Sequence, residues 1–84
     1  MSQVTPPRIE KNPEVRARIG ISRSTLYRKI QEGTFPAPIS LGGRATGWLD
    51  HEVTAWINAM AAGKSDEDIR KLVKSLVAIR HEGV

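Results

Sequence analysis

The segment from Val15 to Ile30, VRARIGISRSTLYRKI, breaks at Gly20-Ile21 between two stretches of helical periodicity, and this break constrains the chain more than any other feature. A helix, a tight turn and a capped second helix form the layout by which a small chain seats one side-chain-studded helix in the major groove of DNA. The first helix is expected to start at Asn12, a good N-cap, with Pro13 at the first helical position where its missing N–H costs nothing. Val15 and Ile19 fall one turn apart, Gly20 supplies the positive φ of a tight ending, and Ile21 plugs the turn. Ser22 caps the next helix, in which Leu26 and Ile30 make a narrow apolar stripe toward the first.

Winding this second helix at ~3.6 residues per turn decides which side chains can meet a partner. With Leu26 and Ile30 inward, Ser24, Arg28 and Gln31 lie opposite, Arg23 and Tyr27 on one flank, and Thr25 and Lys29 on the other. Arg28 is placed to pair with guanine in bidentate fashion, whereas Ser22, Thr25 and the free N–H groups of the helix start suit phosphate. The ordinary alternatives are a solvated helix charge for Arg28 and a position over the core edge for Tyr27. The expected division of labour puts Arg28 and Ser24 on bases, and Arg23, Thr25 and Lys29 on the backbone.

Gly33 ends the second helix, and TFPAP forces an extended turn before ISLGGRATGWL. Ile39 and Leu41 alternate, Gly42-Gly43 turns the chain, and Trp48 follows Gly47, a pattern for a β-hairpin wing with Arg44 at or just past its tip. An arginine there can enter the adjacent minor groove, where a narrow, negative channel attracts guanidinium. A phosphate-cradling nucleotide loop is the weaker alternative, because no Lys-Ser/Thr pair follows the glycines.

Asp50 is the expected N-cap of a third helix with Val53, Trp56, Ile57 and Met60 at helical spacing, and Trp48 and Trp56 are expected core anchors. A fourth helix, capped by Ser65 with acids in its first turn, carries Ile69, Leu72, Val73, Leu76 and Ile79 as one stripe bordered by Lys71, Lys74 and Arg80. Two uses of that stripe stay open: completing the chain's own core, or pairing with a second copy to give a dimer or a row of copies on DNA.

The 84 residues amount to one small domain without room for an elaborate active site. Cysteine is absent, so packing alone must stabilise the fold, which fits a reducing cytoplasm. No apolar run approaches the ~20 residues of a membrane span and the N-terminus lacks a signal pattern, so a chain that is neither exported nor membrane-bound is expected. Charge is uneven: residues 1–49 carry eight basic against three acidic side chains, a net +5, whereas residues 50–84 carry five against six, a net −1. Clustered cations of this kind are favoured by counterion release from a phosphate backbone. His51 beside Glu52 and the distant His81 make neither a metal site nor a catalytic pair, so no metal, cofactor or enzymatic role is expected.

The run SRSTLYRKIQEGTFP, then LGGRATGW, then an acid-started helix ending AWI, resembles the AlpA family of phage and prophage regulators, within the MerR-like and excisionase-like winged-helix group. The likeness runs from about Lys11 to about Ala59. It implies a double-stranded DNA-binding regulator of a mobile element, acting on transcription or as a directionality factor for excision; contact with an integrase or RNA polymerase could accompany DNA binding. It implies a recognition helix from Ser22 to Glu32 with Arg23, Ser24, Tyr27 and Arg28 facing DNA, and Arg44 as the wing contact. The chain departs from that family in lacking an apolar residue just ahead of the first helix, a gap Ile9 has to fill, and in carrying the fourth helix.

The expected fold is therefore mainly α: a small winged helix-turn-helix domain over residues 11–62, a flexible arm over 1–10 and an added C-terminal amphipathic helix over 63–84. The competing functional class is an adaptor that binds protein through the same fold. An apolar outer face on the second helix would mark it, and the residues there are polar and basic.

Overall fold

The computed structural model describes residues 8–82. In chain order it contains β1 (Ile9–Glu10), α1 (Asn12–Ile19), α2 (Arg23–Glu32), β2 (Ile39–Ser40), β3 (Thr46–Leu49), α3 (Asp50–Ala61) and α4 (Asp66–Glu82). It is a mainly helical winged helix-turn-helix domain. The helix-turn-helix forms for local reasons. Gly20, at φ 70°, ends α1 with its N–H on the Arg16 carbonyl at 2.8 Å, and the Ser22 hydroxyl caps α2 by accepting the Thr25 N–H at 3.2 Å. Gly33, at φ 79°, ends α2.

Two N-caps sit one residue earlier than expected. At α1 the cap is Lys11, because its N–H donates to the Glu14 carboxylate at 2.9 Å while the Asn12 amide is directed to the Tyr27 hydroxyl at 3.4 Å. At α3 the cap is Leu49 and Asp50 is the first helical residue, with its N–H on the Arg8 carbonyl at 2.9 Å.

That last bond continues a small antiparallel sheet of order β1-β3-β2. The wing is the β2-β3 hairpin, with Ile39 opposite Gly47 and Ser40 opposite Thr46, closed by the Leu41 N–H on the Ala45 carbonyl. Its third strand comes from the stretch expected to be a flexible arm: Ile9 pairs with Leu49 and Glu10 with Trp48. The remainder of that arm, residues 1–7, lies outside the described residues. Ile9 fills the space over Gly47, where a Cβ would stand 2.5 Å from Ile9 Cγ2.

The core is Val15, Leu26, Phe35, Trp48, Val53, Trp56, Ile69 and Val73. Both expected tryptophan anchors are buried, and Phe35 joins them with its ring centroid 6.1 Å from Trp48 and 5.1 Å from Trp56, edge to face in each case. Each indole N–H is satisfied by the α2–β2 connector, Trp48 by the Pro36 carbonyl at 2.8 Å and Trp56 by the Thr34 carbonyl at 2.7 Å.

The fourth helix folds back and buries Ile69 and Val73 in this core, with Val77 packed against it. Its inward face is rotated from the expected stripe, since Ile79 is 53 % exposed whereas Arg80 turns inward onto buried Glu52.

Candidate nucleic-acid interface

The outer side of α2 is built by the capping and periodicity just described. Ser22, Arg23, Ser24, Tyr27, Arg28 and Gln31 are exposed, while Thr25 and Lys29 are half-buried on the flank. The Ser22 hydroxyl is largely committed, because besides capping α2 it donates to Thr25 Oγ1 at 3.0 Å. The first turn still presents the N–H groups of Arg23 and Ser24, which precede the first helical bond from Leu26 N–H to the Ser22 carbonyl. Arg23 stacks its guanidinium 5.6 Å from the Tyr27 ring centroid, and Tyr27 accepts from Asn12 of α1. The flank holding Arg23 is thus braced against the first helix.

The wing turn displays Arg44 to solvent between Gly43, at φ 56°, and Ala45. The turn needs that left-handed backbone at Gly42 and Gly43, and it carries no side-chain bulk beside the arginine.

Ion pairing sorts the cations into two groups. Among the described residues the salt bridges are Arg18–Glu10 at 2.7 Å and Arg80–Glu52, so Arg23, Arg28, Lys29 and Arg44 have no acidic partner. Arg18 also donates to the Thr54 hydroxyl at 2.9 Å, and Arg70 donates to the Glu32 carbonyl at 2.9 Å. Part of the positive charge of the first 49 residues is therefore internal, and what remains on α2 and the wing is unneutralised. Sequence reading did not separate these groups, since Arg18, Arg70 and Arg80 find their partners 8 to 43 positions away. The structure brings the α2 residues onto one surface, and it records no hydrogen bond between them and Arg44 among the described residues. No group of residues suited to a metal ion is found among the described residues, and no helix there is long and apolar enough to cross a membrane.

A capped second helix bearing unpaired cations, beside a hairpin with an arginine in its turn, defines a winged helix-turn-helix protein. The chain belongs to the family described as prophage CP4-57 regulatory protein (AlpA), whose model matches residues 8–61. It is 44 % identical over 64 residues to the uncharacterized protein ORF88 of Enterobacteria phage P4, covering 76 % of this chain and 73 % of that protein. It is 30 % identical over 57 residues to the DNA-binding transcriptional activator AlpA of Escherichia coli (strain K12), covering 61 % of this chain and 81 % of that one. No solved structure matches the chain significantly. The family match starts with β1 and stops at the end of α3, so α4 lies beyond it.

Proposed function

We propose that the chain is a sequence-specific double-stranded DNA-binding regulator of a phage or other mobile element, acting on transcription, on excision, or on both. The observation that carries this reading is the outer face of α2, where Ser24, Arg28 and Gln31 are exposed and Arg28 has no acidic partner. Such a face exchanges hydrogen bonds with base edges, and a docking surface for protein would present apolar anchors there instead. In this reading Arg28 and Ser24 contact bases. Arg23, Thr25, Lys29 and the first-turn N–H groups hold phosphates, Tyr27 keeps Arg23 in place, and Arg44 enters the neighbouring minor groove. A relative that is a DNA-binding transcriptional activator supports the same assignment.

Binding of copies side by side on DNA and contact with an integrase or RNA polymerase are compatible extensions of this reading. Selection of bound sequences from a random duplex pool at near-physiological salt tests it. One enriched motif, bound far more tightly than scrambled duplex, is expected. Weak, salt-sensitive binding to every sequence would overturn it in favour of an adaptor or architectural protein.

A further inference from the structure

The connector between α2 and β2 is the covalent link between the recognition helix and the wing, and side chains hold it from both sides. Its carbonyls at Glu32, Thr34, Pro36 and Ala37 each accept a side-chain donor, from Arg70, Trp56, Trp48 and Arg80 respectively. The two indoles come from the core. The two arginines come from α4 and take the two ends of the connector, Arg70 Nε on Glu32 at 2.9 Å and Arg80 Nη2 on Ala37 at 2.8 Å. Arg70 and Arg80 lie ten residues apart on one helix, so a single rigid element holds both ends of the connector.

Arg80 is itself fixed, since it grips Glu52 of α3 through Nε at 2.8 Å and Nη2 at 2.5 Å. The apolar part of α4 in the core is Ile69 and Val73, with Val77 packed against them, and the hydrogen bonds of the two arginines to the connector are polar contacts beside that burial.

From this we infer that Arg70 and Arg80 of α4 are positioning residues, which set the placement of the wing relative to α2 so that Arg44 and Arg28 engage one duplex together. The inference rests on the DNA-binding reading above. It gives α4, a segment beyond the family match, a part in affinity without any contact to DNA.

The test is a double-mutant cycle on the full chain with the selected duplex, using Arg44→Ala, Arg70→Ala and their combination. Two distant, independent side chains multiply their effects, whereas coupled ones do not. In the otherwise unchanged chain Arg44→Ala weakens binding about tenfold, and in the Arg70→Ala background the same change weakens it about threefold or less. Arg70→Lys, which keeps a donor within reach of the Glu32 carbonyl, restores the larger penalty. Arg70 is exposed, so its removal leaves the chain folded. A purely structural role predicts equal penalties for Arg44→Ala in every background, and that result would overturn the positioning role alone. If Arg44→Ala and Arg28→Ala both bind like the parent chain, the DNA-binding reading fails and the positioning role with it.

Discussion

Glu52 and Arg80 close a two-point ion pair between α3 and α4, with the Glu52 side chain 1 % exposed and the Arg80 side chain 16 % exposed. A buried charge of this kind is tolerated only while its partner stays. Arg80→Met strands the Glu52 carboxylate and should cost about 3–5 kcal/mol. Adding Glu52→Met should return much of that loss, because no unpaired charge then remains buried. Urea denaturation of the two single variants and the double variant measures this. Additive losses would show that the pair does not act as a unit.

Gly47 is required by contact, since a Cβ there would lie 2.5 Å from Ile9 Cγ2 and 3.1 Å from the Glu10 carbonyl oxygen. One neighbour is the γ-methyl of a β-branched side chain and the other is backbone of β1, so Gly47→Ala should displace β1 and cost about 1–3 kcal/mol as overpacking. Amide hydrogen exchange should show the loss of protection concentrated at Asp50, whose N–H bonds the Arg8 carbonyl. Unchanged stability and unchanged protection would count against the pairing of β1 with β3.

Ser22 and Ser65 both cap helices, accepting the N–H of Thr25 and of Asp68 at 3.2 Å. Replacement of either by alanine should cost about 0.5–2 kcal/mol of stability. Only Ser22→Ala should also weaken DNA binding, because it frays the first turn of α2, and a titration of each variant at matched folded fraction separates the two effects. Equal binding by both variants would remove the start of α2 from the interface.

Arg28→Ala should cost ~1–3 kcal/mol on the selected site and relax base preference at one position, with little change on random duplex. Lys29→Ala should weaken both duplexes alike and lower the salt slope by about 1. Binding of both variants to both duplexes over a range of salt concentrations reads out the difference. Equal losses for the two variants on both duplexes would contradict the assigned base and phosphate roles.

The helix-turn-helix and most of the α2 surface were legible along the chain because their causes are local. Gly20 and Gly33 stop helices where a positive φ is needed, Ser22 and Ser65 cap over three residues, and Leu26 orients α2 through its own periodicity. The wing was legible for the same reason, as a turn at Gly42-Gly43 between short apolar alternations. The two N-cap positions were misplaced by one residue: at α1 the Asn12 amide goes to Tyr27 and Lys11 is the cap, and at α3 the helix starts at Asp50, whose N–H bonds the Arg8 carbonyl of the neighbouring strand.

What the sequence by itself determined was which segments are helices and where most of them stop, which face of α2 is polar, and which tryptophans are core, all of which follow from residue chemistry within a few positions. Tertiary structure alone decided that Ile9 and Glu10 are a strand, because two residues have no period and their partners are Trp48 and Leu49. It alone placed Phe35 between the indoles and turned Arg80 inward in place of Ile79. It also divided the arginines into those that brace the fold and those left unpaired. A guanidinium looks the same in sequence whether it faces a carboxylate 28 residues away or open solvent, and only folding brings the carboxylate within reach.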